Sequence, residues 1–214
     1  MPETPPAAAP APPRPVRFGV HGSSHLARRL IAAAGTDPDT VEFVPYEVTE
    51  PFRLLREGAM DLMIVKYDLF EADIAASATL AQDHRAVIVG EHHPLAGRDE
   101  VSIEEAAEYD AFSCPGDFPP YVWDLIVPPR TPAGTPIRRV HPMTTQEGMA
   151  AVLATTQAVH VSFQSLADVV PPHIRVVPMR GLPPAPVMIG WLRGARLSPE
   201  AAALVAAAER SAKP

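Results

Sequence analysis

The chain has 214 residues, of which 47% are hydrophobic and 20% are charged, and its formal net charge is -7 at pH 7. This composition is typical of a globular protein and argues against wholesale disorder. It also disfavours direct nucleic-acid binding, because a surface that contacts many phosphates needs an excess of basic side chains. No apolar run approaches the roughly 18 residues that a membrane-spanning helix needs, so we predict no membrane partner.

The chain start and the cysteine usage predict a cytoplasmic location. The first residues show neither the basic segment nor the apolar segment of a signal peptide. The single cysteine, Cys114, cannot form an internal disulfide, which fits a reducing compartment. Residues 1–15 contain seven prolines and four alanines, and we predict a disordered, extended arm there.

The first part of the folded region alternates between strand and helix patterns. Strands are predicted at 16–20, 41–48 and 62–65, with one helix over 24–34 and a short helix that Thr49 caps. The run 62–65 is continuously apolar, as in a strand buried on both faces of a parallel sheet. This order predicts one half of an open α/β sheet.

The second part repeats this alternation less regularly. Further strands are predicted at 86–89, 110–113, 159–163, 174–177 and 187–192. Helix starts are predicted at two capping boxes, Ser102–Glu105 and Thr144–Glu147, and at Ser198 with Pro199 in the first helical position. Between them, residues 115–142 form a proline-dense stretch for which we predict neither helix nor strand.

Three strings then identify a resemblance to a known family. They are LLREGAMDL at 54–62, HPLAGR at 93–98 followed by VSIEE at 101–105, and WLR at 191–193 followed by Ser198-Pro199. Together they resemble the effector-binding domain of LysR-type transcriptional regulators over about residues 16–212. The resemblance implies an α/β, two-lobed, type 2 periplasmic-binding-protein-like fold, with open mixed sheets flanked by helices.

The resemblance also implies a domain layout and partners. We expect lobe I to begin at 16–85, lobe II to span 86–165, and residues 166–214 to return to lobe I and end in a helix. A small-molecule ligand is expected in the interlobe cleft. Family dimers imply a homodimer, or a heterodimer with a full-length regulator. Only fifteen residues precede the domain, too few for the family's winged helix, so we expect no direct DNA contact.

Candidate ligand residues follow the strand ends, because ligands of open α/β sheets bind outside the carboxyl ends of the strands. His21, Ser23 and Ser24 precede a helix N-terminus, which favours an anion. One serine is expected to cap the helix, and the other either contacts ligand or has no such role. Lys66 and Tyr67 follow a buried strand, where Lys66 either neutralises an acidic ligand or lies solvated.

The second lobe supplies further candidates at a strand end and at a helix start. They are Ser113, Cys114, Asp117, Thr144, Thr145 and Gln146. Phe163 either walls the cleft or packs in the core. Three aromatic residues of the proline-dense stretch, Phe118, Tyr121 and Trp123, either contact a mostly apolar ligand or cover the second lobe.

Signals of catalysis are sparse. The weak catalytic candidates are His21, Cys114 and Asp117, and the sequence contains no G-x-G-x-x-G, G-x-x-x-x-G-K or G-x-S-x-G pattern. We predict neither a metal nor an organic cofactor. Two functions stay open: a stand-alone protein that binds an anionic or aromatic metabolite, and a biosynthetic enzyme of lyase or cyclase type that uses the same cleft.

Overall fold

Two mixed β-sheets, each packed with helices, organise the chain in the computed structural model, which describes residues 14–212. The arm predicted at 1–15 lies outside the described residues up to residue 13. The strands are β1 (Val16–Val20), β2 (Val41–Pro45), β3 (Leu62–Lys66), β4 (Ile74–Ala76), β5 (Ala81–Asp83), β6 (Arg85–Gly90), β7 (Val101–Ser102), β8 (Ala111–Phe112), β9 (Arg139–His141), β10 (His160–Phe163), β11 (Ile174–Arg180) and β12 (Ala185–Leu192). The α-helices are α1 (His25–Ala33), α2 (Arg53–Arg56), α3 (Ile103–Ala106), α4 (Pro120–Ile126), α5 (Gln146–Thr155) and α6 (Pro199–Ser211), and 3-10 turns cover Pro38–Thr40 and Gln164–Asp168.

The first sheet has the strand order β2-β1-β3-β12-β4, with β5 also paired to β12. β1 runs parallel to β2 and β3, whereas β12 runs antiparallel to β3. Phe18, Leu62 and Ile189 are fully buried in this sheet, where they pack with Ile31 of α1 and Ala201 of α6. We call this sheet with α1, α2 and α6 the first lobe.

The second sheet has the strand order β10-β6-β11-β7, and every residue of β6 is buried. The β8–β9 pair adjoins it through a bridge from Ala111 to Val159. We call these strands with α3, α4 and α5 the second lobe. β11 belongs to this second sheet, so the chain returns to the first lobe only at β12. The sequence predicted an earlier return, at residue 166.

The α/β fold class and the main strands of both sheets are confirmed, and two predicted helix caps are wrong. Thr49 does not cap α2, whose N-cap position is Phe52. The physical reason is Pro51, because a proline disfavours the helical conformation of the residue before it. In α5 the cap is Thr145, which accepts the Gly148 N–H, so the predicted Thr144–Glu147 capping box does not form.

The proline-dense stretch 115–142 is more ordered than predicted, since it contains α4 and β9. α4 begins at Pro120, and proline suits a first helical turn because the N–H it lacks has no partner within the helix. The helix buries Val122, Trp123 and Ile126 in the core of the second lobe. This burial places an aromatic residue of α4 beside the space between the lobes.

Candidate functional site

A cavity of about 220 Å³ lies between the two lobes, at the carboxyl ends of the parallel strands β1 and β3. The first lobe contributes walls from the ends of β1 and β3 and from the segment after β2. The second lobe contributes α4, the first turns of α5 and β10. The cavity therefore occupies the position at which open α/β sheets bind ligands.

The segment between β1 and α1 brings two predicted residues to this cavity. His21 Nδ1 lies 3.1 Å from the carbonyl oxygen of Tyr46, and Ser23 Oγ accepts the His25 N–H at 2.9 Å. Ser24 occupies the N-cap position of α1, but its side chain makes no capping hydrogen bond. His21 and Ser23 line the cavity, and Ser24 does not. Ser23, whose hydroxyl accepts the His25 N–H, is therefore also the serine at the cavity.

Lys66 lines the cavity and forms an ion pair with a carboxylate of the chain. Its Nζ lies 2.6 Å from Asp83 Oδ2 and 3.0 Å from Ser165 Oγ. The same atom lies 4.4 Å from the ring centre of Phe163, which also lines the cavity. Burial lowers the pKa of Lys66, and the Asp83 carboxylate opposes that shift. Lys66 is therefore neither a solvated strand-end lysine nor a free counter-charge.

A second buried cation lies behind this wall. Arg85 is 2% exposed, and its guanidinium donates to the Tyr67 hydroxyl and to the Ile126 carbonyl oxygen. Its central carbon lies 5.0 Å from the ring centre of Phe163. Tyr67 adopts φ of 79°, in the left-handed region, and its buried hydroxyl serves Arg85 rather than the cavity.

The charges at this end of the cavity do not cancel. Asp83 is the carboxylate that interacts electrostatically with both Lys66 and Arg85. Among residues 14–212, Arg85 forms no salt bridge, so buried Arg85 and partly buried Lys66, whose side chain is 20% exposed, share one carboxylate. An excess of positive charge favours an anionic group on a molecule that enters the cavity.

The second lobe adds two aromatic rings that carry polar nitrogens. Trp123 and His160 line the cavity with ring centres 6.0 Å apart and an interplanar angle of 22°. Within the described part of the chain, Trp123 Nε1 and His160 Nδ1 are buried and have no hydrogen-bond partner. Burial, reinforced by Arg85 and His21, lowers the pKa of His160 to about 3, so its imidazole is neutral near pH 7.

Seven of the predicted residues thus reach the cavity: His21, Ser23, Lys66, Phe118, Trp123, Gln146 and Phe163. The predicted residues that do not line it are Ser24, Tyr67, Ser113, Cys114, Asp117, Tyr121, Thr144 and Thr145. The cavity is also lined by Tyr46, His160, Ser162 and Ser165, which were not among the predicted residues. The one signal in the sequence was a histidine within a buried strand, His160 of β10.

Several of the other predicted residues have structural partners. Ser113 Oγ donates to the His141 carbonyl oxygen at 3.1 Å, and Cys114 Sγ donates to the Phe118 carbonyl oxygen at 3.3 Å. Burial raises the pKa of the Cys114 thiol, which makes a thiolate nucleophile unfavourable. Thr144 is exposed beside the cavity-lining first turn of α5.

Two predicted residues join the lobes. The Asp117 N–H donates to the Thr49 carbonyl oxygen at 2.8 Å, and the Tyr121 hydroxyl accepts the Phe70 N–H at 2.6 Å. Both bonds run from the second lobe to the first and lie next in sequence to cavity-lining residues. These residues therefore hold the walls of the cavity together.

Among residues 14–212, no three His, Cys, Asp or Glu side chains cluster as a metal site would require. None of the helices in that range has the length and hydropathy to cross a bilayer.

Comparisons with known proteins agree with this architecture. A family model described as the LysR substrate binding domain matches residues 11–213. A comparison with curated protein sequences found no match. The effector binding domain of QuiR in complex with shikimate is 19% identical, with a TM-score of 0.65 over 91% of this chain and 95% of that chain.

Two further solved structures are similar. The LysR family regulator CbnR is 16% identical, with a TM-score of 0.71 over 93% of this chain and 70% of that chain. The BenM effector binding domain with its effector benzoate is 16% identical, with a TM-score of 0.61 over 91% of this chain and 90% of that chain. These likenesses confirm the predicted fold.

Proposed function

Because the chain belongs to the LysR substrate-binding domain family, we propose that it binds a small metabolite in the cavity between its two lobes. The observation that carries the proposal is a cavity at the strand ends, walled by both lobes and lined mainly by apolar side chains. Its volume of about 220 Å³ is below the ~300–1,000 Å³ of pockets for drug-sized ligands, which favours a compact molecule.

The ligand we propose has an aromatic or apolar body and an anionic end. Phe163 and Trp123 offer flat apolar surfaces to the body. The excess positive charge of Lys66 and Arg85 over Asp83 favours the anion. The QuiR domain was solved with shikimate and the BenM domain with benzoate, which supports this ligand class by analogy.

Equilibrium dialysis against an extract of the producing cells, followed by mass spectrometry of both chambers, tests the proposal. Wild type should enrich a metabolite of this class. Gln146→Trp, which places a large ring in the cavity, should lose the enrichment, whereas Glu147→Trp on the exposed side of the same helical turn should keep it. No enrichment by wild type, or equal enrichment by Gln146→Trp, would contradict the proposal.

The partners we propose are a second copy of the chain or a full-length regulator, with no direct contact to DNA. In the LysR-type effector domains that the chain resembles, dimers form through the second strand and the first helix. Here β2 is an edge strand of the first sheet, and α1 packs beside α6. Ile31 is 1% exposed and belongs to the core, which leaves the partly buried Leu30 for an interface. Sedimentation of the purified protein should give a dimer; a monomer at micromolar concentration would contradict the homodimer.

A second candidate function is turnover of the ligand, and one observation favours it. A carbonyl oxygen can only accept, so the contact with Tyr46 places the proton of neutral His21 on Nδ1 and leaves Nε2 as a lone-pair acceptor. Such a nitrogen beside the cavity suits a general base. In the dialysis experiment, turnover would consume one metabolite while a product accumulates, and His21→Ala would stop both changes.

A further inference from the structure

The wall formed by α4 and β10 contains two buried nitrogens that the fold does not satisfy. Trp123 is 3% exposed and His160 is 6% exposed, and both line the cavity. Among residues 14–212, no atom forms a hydrogen bond with Trp123 Nε1 or His160 Nδ1. Buried polar groups of native proteins are nearly always paired, so two such nitrogens in one cavity wall indicate a partner that is not part of the chain.

The two rings do not satisfy each other. Their planes are inclined by only 22°, with centres 6.0 Å apart. A ring N–H lies in the plane of its ring, so in a nearly parallel pair neither N–H points at the other ring's nitrogen. The remaining aromatic neighbours of the pair, Phe118 and Phe112, offer no acceptor oxygen from their side chains.

We propose that Trp123 and His160 form a polar subsite that binds an uncharged oxygen of the ligand, a carbonyl or a hydroxyl. The indole N–H is a donor only, so its partner must be an acceptor. His160 is neutral because burial, with Arg85 and His21 nearby, depresses its pKa, and a neutral imidazole does not call for a carboxylate partner. This inference rests on the proposed function and adds a second polar group to its ligand.

The subsite and the cationic end of the cavity lie at different points along β10. Phe163, over which Lys66 lies, follows His160 by three residues on the same strand. At ~3.3 Å per residue, the backbone positions of these two residues are about 10 Å apart along β10. The ligand class is therefore a ring compound with an anionic group near Lys66 and an uncharged oxygen near Trp123.

The probes are acetophenone and α-methylstyrene, which have nearly the same shape. Acetophenone has a carbonyl oxygen at the position where α-methylstyrene has a methylene group. The sequence has two tryptophans, so protein labelled with ¹⁵N in tryptophan gives two indole N–H signals. Acetophenone should move the Trp123 indole proton downfield and leave that of Trp191 in place. α-Methylstyrene should cause no downfield shift at Trp123.

Affinities give the second readout. Acetophenone should bind wild type about 3- to 10-fold more tightly than α-methylstyrene, although it is the less hydrophobic probe. Trp123→Phe should remove that preference. Trp191→Phe, the same substitution in β12 against the core of the first lobe, should retain it. The indole signals are read on wild type, so they decide the matter even where Trp123→Phe fails to fold.

The outcomes separate the two proposals. Equal or tighter binding of α-methylstyrene, or a Trp123 indole signal that stays in place at acetophenone saturation, would overturn the subsite while a small-molecule cavity stands. Binding of neither probe, with no metabolite enriched in dialysis, would overturn both.

Discussion

His160 illustrates, at the scale of single residues, how burial decides the chemistry of a side chain. Its strand neighbours Val161 and Phe163 are buried, and the imidazole lies between Trp123 and Phe112. In that setting the charged form is disfavoured, which lowers the pKa of His160 from 6.5 to about 3. The strand was predictable from its alternation, but this environment depends on α4, which the sequence did not reveal.

That shift predicts a pH-dependent stability. Between about pH 3 and pH 6.5 the unfolded chain protonates this histidine and the folded chain does not, so stability is lost as the pH falls through that range. Relative to His160→Phe, wild type should lose up to about 1.4 kcal/mol of unfolding free energy per pH unit below pH 6.5. Urea unfolding from pH 4 to pH 7 measures both proteins, and parallel profiles would contradict the assignment.

The buried pair of Lys66 and Asp83 supports a second prediction at this scale. Asp83→Asn leaves the partly buried Lys66 ammonium without its carboxylate and should destabilise the fold by up to about 3–5 kcal/mol. Asp39, which is 80% exposed in its pair with Arg28, is the matched control and should change stability by less than about 1 kcal/mol when mutated to Asn. Equal effects in urea unfolding would show that the buried pair has no special role.

The position of Lys66 directly after a buried strand made it a candidate, and the structure does place it at the cavity. Asp83 could not be identified as its partner, because the pair depends on β3 and β5 meeting the same strand, β12. Ser165 comes from the turn after β10 and approaches only when both lobes are assembled. Local sequence patterns do not predict such long-range contacts.

At the scale of elements, periodic patterns predicted the long strands, and short or proline-rich elements escaped. β4, β7 and β9 have two or three residues each, too few for an alternation to be visible. α4 lies in a stretch whose prolines favour an irregular chain, yet Pro120 occupies the one helical position that proline suits. Trp123 of the proposed subsite lies on that unforeseen helix.

The cap of α5 is the prediction that belongs to this scale. Thr145 Oγ1 accepts the Gly148 N–H at 3.0 Å, whereas Thr144 makes no such bond. Thr145→Ala should therefore lower the unfolding free energy by about 1 kcal/mol. Thr144→Ala, one residue away and also exposed, should change it by less than about 0.5 kcal/mol. If urea unfolding showed a larger loss for Thr144→Ala than for Thr145→Ala, Thr144 would be the cap, as the sequence predicted.

At the scale of the whole molecule, the cavity exists because two lobes meet and are held together. The Asp117–Thr49 and Tyr121–Phe70 hydrogen bonds cross between them. The alternation of strands and helices and the family resemblance predicted this two-lobed layout. Which side chains line the cavity depends on how the two lobes pack against each other, and sequence periodicity does not contain this information.

The central claim is that a ligand contacts both lobes at once, and hydrogen exchange with and without the metabolite enriched in dialysis tests it most directly. Exchange should slow together in residues 20–26 of the first lobe and in residues 118–126 and 160–166 of the second. The groove between β2 and α6, lined by Val41 and Leu204, should be unchanged. Protection confined to one lobe, or found in that groove instead, would contradict the claim.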